Sequence, residues 1–506
     1  MDPDAEIQAR FDALQRRLRP LWRSIRSLNQ DEQTIVVVPS MTVDREFPGS
    51  MLKAYEERFL FLLFLLRQPR ARLVYVTSQT IAPPIVDYYL QLLPGVIASH
   101  ARERLFLVAV QDSSSEPLSR KLLERPGLVR RIRGLIPDRE RAHMIPFNTT
   151  TLERDLALAL DIPMYGADPR FFPLGTKSGS RRIFAEEGVR HPVGEEDLRG
   201  MEDAAAVIAR LRSRVPDLQE VLIKLNEGVS GEGNAFVRLA GLPPPGSPGE
   251  GPAIAQRLRE MTFESPTTRY DDYAAKLARR SGIVEERIVG EELRSPSVQL
   301  RVTPLGEVEL LSTHDQILGG AGGQTYIGCR FPADAAYAPM ILREAERVGR
   351  RLAQEGVLGR FAIDFVVARR QAREWETYAI EINLRKGGTT HPFLTLQFLT
   401  DGRYDPASGV FTTALGAPKS FVASDHVASP LYRALTPEDL FDIVTRHGLH
   451  FDQSRQAGVV LHMMSALGDA GVLGLTAVGD DHAQADRLYQ RTVAALDEAA
   501  AEAVRP

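Results

Sequence analysis

The chain of 506 residues contains a single cysteine, Cys329, so neither an intramolecular disulfide nor a cysteine-based zinc site can form. Long apolar runs are absent as well. The longest, Phe59 to Leu66, is fenced by Arg58 and Arg67 and falls far short of the ~20 residues that span a bilayer. The opening stretch MDPDAEIQARFDALQRRLRP has no apolar signal core, and a soluble, cytoplasmic protein with no membrane partner is the expectation. An excess of one charge is lacking too: 62 Lys and Arg stand against 66 Asp and Glu, leaving a net charge of -4. Such a balance offers no bulk attraction to nucleic acid, which excludes that partner class. Lysine itself is scarce, at seven of the 62 basic residues. Three of the seven, Lys177, Lys224 and Lys386, lie in GTKSGS, IKLNEGVSGEGN and LRKGGTT. In such Gly-rich settings a compact ammonium serves a phosphate or a small anion as a point charge.

What is present is ordinary globular composition, 43% hydrophobic and 25% charged, with room for roughly three domains. Over the first 165 residues, β-branched runs at 34–39, 72–78 and 104–110 alternate with amphipathic stretches, among them an apolar helix through 66. That order predicts βαβ units around a buried parallel sheet. The G-x-G-x-x-G of a dinucleotide site is missing after the first strand, where Pro39-Ser40-Met41-Thr42 stands instead. From Pro173 onward the reading is a helix at 178–187, a second at 195–212, and a hairpin of 220–226 and 235–240 with EGVSGEGN at its tip. Residues 241–252 hold nine Gly or Pro in twelve and read as a mobile insertion. Strands follow at 298–304 and 307–316, then a helix at 337–355, then RFAIDFVVAR and ETYAIEINL. The last ninety residues read as a small α+β appendage.

The two late strands carry the densest chemistry. Asp364 interrupts one apolar run, and Glu381 and Asn383 interrupt the other. Side chains alternate faces along a strand, which puts Glu381 and Asn383 on one face and sends Ile380 and Ile382 to the other. A hairpin centred between Ala372 and Arg373 pairs Asp364 with Glu381. Two carboxylates and an amide on one face leave like charges unbalanced unless a cation lies between them, and oxygen-only ligands of this kind suit Mg²⁺. The alternative is a pair of edge carboxylates bridged to arginines, in which the Asn has no role. The glycines at 228, 231 and 233 let backbone N–H groups approach a polyphosphate beside Lys224, although no Walker-type string exists.

Together these pieces resemble the ATP-grasp ligases over roughly residues 170–395, and the strings LGTKSGSRRIF, KLNEGVSGEGN and EINLRKGGTTHP are most similar to the peptide ligases typified by pheganomycin biosynthesis. The resemblance implies a mixed α/β and α+β fold. A Rossmann-like domain would occupy 1–165, a two-lobed ATP-grasp fold 166–410 with a lid at about 195–290, and the C-terminal appendage 411–506. It implies ATP and Mg²⁺, with Lys177 and Lys224 on the phosphates and Gly228, Ser230, Gly231 and Gly233 in the lid tip. Glu285, Glu286 and Ile288 would form the adenine hinge and Glu292 would take the ribose. Asp364, Glu381 and Asn383 would hold the metal, and Gly387 would donate its N–H to an oxyanion. Two departures stand out: Lys386 replaces the usual proline before that glycine, and Ala362 replaces an arginine, leaving Arg360 on the same strand face as its substitute. Arg360, Arg385 and Lys386 then gather cations at the transfer site, which favours anionic acyl donors. The implied activity is carboxylate–amine ligation of small-molecule or peptide substrates through an acyl phosphate. A non-catalytic nucleotide-binding protein and a ligase with a non-amine acceptor are the alternatives.

Overall fold

The β-branched runs of the first third become β1 (Gln33–Val38), β2 (Ala71–Thr77), β3 (Leu105–Ala109) and β4 (Ala142–Pro146), parallel in the order β3-β2-β1-β4. Here and below, the computed structural model describes residues 3–27, 32–42, 49–228, 231, 233–370 and 374–505. Alternation sends Val36, Val38, Val74 and Val76 to one side, against Leu118, Leu122, Leu156 and Leu160 of the covering helices. Ile35, Val37, Leu73 and Tyr75 face the other way and join a core that runs on into the rest of the molecule. The expected helix through 66 is α-helical only over Gly49–Glu57. Residues Arg58–Arg67 tighten into a 3-10 helix whose apolar side chains are buried, Leu65 only partly.

The lobe expected as a lid contains β5 (Gly194–Glu195), β6 (Glu220–Leu225), β7 (Asn234–Arg238), β8 (Thr262–Phe263) and β9 (Gly282–Glu286), antiparallel in the order β5-β9-β6-β7-β8. It has a core of its own, built by Val207, Ile208, Leu211, Ile223, Val237 and Leu277. The helix expected from 195 starts at Met201, because Gly194 and Glu195 are drawn into the sheet beside β9. The Gly/Pro-rich stretch is also firmer than its composition predicts. Glu250 is buried in an ion pair with Arg212 and accepts from the Gly246 N–H at 2.6 Å, while Arg212 also donates to the Pro243 carbonyl at 2.8 Å. One buried charge pair therefore ties the turn to the lid core.

The large sheet gathers β10 (Glu292–Arg294), β11 (Pro296–Val302), β12 (Val308–Gly319), β13 (Thr325–Phe331), β14 (Gly359–Arg369) and β15 (Glu376–Asn383). After the two-stranded β16 (Arg403–Asp405) and β17 (Val410–Thr412) come β18 (Ser420–Ala428), β19 (Gly458–His462) and β20 (Val472–Gly479). The order is β10-β14-β11-β12-β13-β18-β20-β19, with β15 on the outside of β14. A helix, Ala338–Glu355, lays Ile341, Ala345, Val348 and Leu352 on this sheet at helical spacing. The C-terminal α+β segment is present, but its strands do not form a sheet of their own: β18 pairs with β13 and prolongs the central one. Apolar residues of the N-terminal sheet, the central sheet and its C-terminal extension share one core. Among the described residues no helix is long and apolar enough to cross a membrane.

Candidate active site

Asp364 lies directly opposite Glu381, and Ala362 opposite Asn383, as the spacing predicts. The centre of the hairpin, residues 371–373, lies outside the described residues. Beyond Asp364 the register slips by one, so that Phe365 faces Ala379 and Ile380 is the extra residue of a β-bulge. The slip corrects the expected facing of Ile380. It joins Glu381 and Asn383 on the cleft wall, where Val366 and Ile380 extend an apolar patch of Ile288, Ala368 and Tyr378, while Ile382 alone points into the core. Asp364 accepts from Gln316 Nε2 at 3.0 Å and from Asn383 Nδ2 at 2.9 Å, with Ser297 opposite on β11 as a further donor. Burial, with Glu381 beside it, pushes the Asp364 carboxyl up to about 6. Two facing carboxylates and an amide are an oxygen-only donor set, and the three residues fit a hard divalent cation such as Mg²⁺.

Both lysines of the Gly-rich motifs come to this wall from separate elements. Lys177, the first residue of the helix Lys177–Glu186, reaches Glu381 Oε1 at 3.1 Å. Lys224, on β6, reaches Glu285 Oε1 at 2.5 Å, and Arg181 meets the other Glu285 oxygen at 3.1 Å. Burial alone would raise Glu285, but Lys224 and Arg181 outweigh it and hold the carboxyl below its ordinary value. Each lysine is thus buried yet compensated, and a phosphate arriving between them finds cations already desolvated. Glu286 accepts from the Val193 N–H at 2.9 Å and Ile288 lines the apolar patch, whereas Glu292 pairs with Arg369. Of the lid-tip residues, Gly228 and Gly231 line the cleft, Gly233 turns the chain with φ +88°, and Ser230 lies outside the described residues. Gly231 has φ +78°, and a Cβ there would stand 2.7 Å from the Gln324 carbonyl oxygen. The lid also holds this facing loop by Glu264, which accepts from Gly322 N at 2.7 Å, Gln324 N at 3.1 Å and Thr325 Oγ1 at 2.9 Å.

The cationic segment after β15 divides. Arg385 lines the cleft, with Nη2 on Asn383 Oδ1 at 3.0 Å. Lys386 points away: its ammonium donates to the Pro146 carbonyl at 2.6 Å, and burial, with Arg360 nearby, brings it down to about 7. It fastens this segment to the end of β4 and does not join the transfer site. Arg360 also departs from expectation. It sits across from Arg301 and beside Tyr165, outside the cleft lining, and burial brings it down to about 9. Gly387 lines the cleft, and its N–H donates to Thr390 Oγ1 at 3.0 Å.

A second cavity meets the first at Gly228, Glu381, Asn383 and Arg385. Its walls bring Thr42, Asn148, Thr149 and Thr150 from the N-terminal domain to Asn226 and Glu227 of the lid. Of these, Thr42, Asn148, Thr149 and Thr150 were not singled out in the sequence as site residues, and Asn226 and Glu227 entered only within the string KLNEGVSGEGN. Gln316 and Ser297 were missed as well, although Gln316 ends the string STHDQ. His314 and Cys329 are packing residues: burial brings His314 down to about 3 among Phe331, Phe393 and Phe421, and takes Cys329 up to about 12.

A family profile described as IQCH-like, ATP-grasp matches residues 173–244 and 250–407, and the break between them falls in the Gly/Pro-rich turn. Over those residues the chain is similar to the ATP-grasp family. A second profile, the PGM1 C-terminal domain, matches residues 439–492. The L-propargylglycine–L-glutamate ligase of Streptantibioticus cattleyicolor is 29% identical over 454 residues, covering 88% of this chain and 89% of that one. The IQ motif-containing protein H of Danio rerio is 25% identical over 409 residues, which are 72% of this chain and only 38% of that relative's length. The fold is similar to that of the biotin carboxylase of Campylobacter jejuni, solved as a beta-gamma-ATP complex. That structure superposes with a TM-score of 0.55 at 12% identity, covering 94% of this chain and 96% of the other.

Proposed function

We propose that this protein is an ATP-dependent carboxylate–amine ligase that forms an amide or peptide bond through an acyl phosphate. The observation that carries the reading is the meeting of Asp364, Glu381 and Asn383 with Lys177 and Lys224 on the walls of one cleft. A carboxylate oxygen of the donor attacks the γ-phosphorus and ADP leaves. The amine nitrogen then attacks the acyl carbon, and phosphate departs with the former carboxylate oxygen.

Lys177 and Lys224 exchange their carboxylate partners for phosphate oxygens, and the Val366–Ile380–Ile288 patch takes the base. Mg²⁺, when held by Asp364, Glu381 and Asn383, supplies charge neutralisation of the phosphates. Arg385, at the junction of the two cavities, takes the oxyanion role expected of Arg360, while Gly387 contributes its N–H only after exchanging Thr390. The threonine-lined cavity receives the acyl donor. Amino acids or short peptides are the substrate class this reading favours, in keeping with the amino acids named for the Streptantibioticus relative.

Hydroxylamine, offered as the acceptor with ATP, Mg²⁺ and pooled amino acids, should trap the acyl phosphate as a hydroxamate with one ADP per hydroxamate. Tight ATP binding with no ADP formed over the whole pool would leave a nucleotide-binding protein instead.

A further inference from the structure

His391, Asp425 and His462 come from three different elements: the first turn of the helix Thr390–Thr400, the strand β18 and the last residue of β19. The order β18-β20-β19 brings the last two together under the helix. His391 Nε2 lies 3.0 Å from His462 Nε2, His462 Nε2 lies 2.9 Å from Asp425 Oδ1, and His391 Nε2 lies 3.4 Å from the same oxygen. All three residues are at most 4% exposed. Two imidazole nitrogens that face each other share one proton, so the three edges of this triangle cannot all be good hydrogen bonds at once. A tetrahedral ion with bonds of ~2.0–2.1 Å sets its ligand atoms about 3.3 Å apart, close to the spacing seen.

Two further observations agree. On β20, Gly474 leaves the strand bare under the His462 ring, where a Cβ would stand 2.0 Å from an imidazole carbon. Arg58 Nη1 takes the other Asp425 oxygen at 2.5 Å, orienting the carboxylate from behind and leaving Oδ1 to the cluster.

We propose that His391, His462 and Asp425 form a binding site for a divalent first-row transition ion of the Zn²⁺ class, separate from the oxygen-only set of Asp364, Glu381 and Asn383. Paired imidazoles select such an ion over Mg²⁺. Asp425 lines the cleft, which brings a fourth ligand within reach, and one carboxylate against the ion and Arg58 leaves a positive site that calls for an anion there.

The test uses the full chain, freed of metal by a chelator and titrated with Co²⁺. One equivalent should bind with the intense visible absorption of a tetrahedral site, be displaced by Zn²⁺, persist in Glu381→Gln and vanish in the His391→Ala/His462→Ala double variant. Folded wild-type protein without that absorption, or a double variant that retains it, overturns the site and leaves a hydrogen-bonded relay. X-ray absorption at the cobalt edge of the wild-type protein decides the matter even if the double variant fails to fold. An imidazole-containing shell is expected, and an all-oxygen shell contradicts the proposal.

Discussion

Two aspartates, Asp364 and Asp425, line one cleft and are driven in opposite directions. Burial and the neighbouring Glu381 push Asp364 up to about 6, whereas Asp425 is held well below the usual carboxylate range. Burial would raise Asp425 too, but Arg58, together with His391 and His462, outweighs it. The same residue type thus marks two kinds of site. At Asp364 the fold has placed one carboxylate beside another, with Lys177 on Glu381 and Arg385 nearby as the cations at hand. At Asp425 it has supplied a permanent partner to one oxygen and turned the other toward two imidazoles.

The largest expected effect breaks the first site alone. Glu381→Gln keeps the strand and the volume but removes one anionic ligand and the partner of buried Lys177, and ligation should fall by at least about 100-fold per folded molecule, well beyond any accompanying loss of stability. The second site should answer in stability. Arg58→Met leaves Asp425 buried without its cation, and urea unfolding of the metal-free protein should show a loss of about 3–5 kcal/mol.

Asp364→Asn should do the reverse. A carboxyl whose folded value is raised binds protons better in the folded state, so it weakens folding as pH rises from about 4 to 6, and above pH 6 the whole penalty is present. Removing the charge should therefore stabilise the ligand-free protein at pH 8, by about 1–3 kcal/mol, while ligation is lost. The same titration predicts that Mg²⁺ affinity, read by calorimetry, falls up to about tenfold per pH unit below 6. The smallest effect separates two arginines: Arg360→Ala should leave ligation within about threefold of the parent, and Arg385→Ala should not.

The two sites also differ in how far a sequence can expose them. Asp364, Glu381 and Asn383 lie on neighbouring strands of one hairpin, and the period of two is enough to pair them. What periodicity cannot show is the bulge at Ile380, because a single extra residue depends on how the sheet twists and not on any local pattern. His391, Asp425 and His462 have no such spacing. They meet only because β18 pairs with β13 and β20 lies between β18 and β19, a topology that also turns the expected appendage into an extension of the central sheet. Lys386 shows a third limit. Its Gly-rich setting looks like that of Lys177 and Lys224, yet a carbonyl at the end of β4 claims the ammonium from 240 residues away in the chain.

The central claim is that this cleft activates a carboxylate by phosphorylation. It is tested most directly with a donor carrying ¹⁸O in its carboxylate, turned over with ATP, Mg²⁺ and an amine. The account predicts one ¹⁸O in the inorganic phosphate for each amide formed, with ADP as the other product. Phosphate without label, or label appearing in AMP, would contradict it.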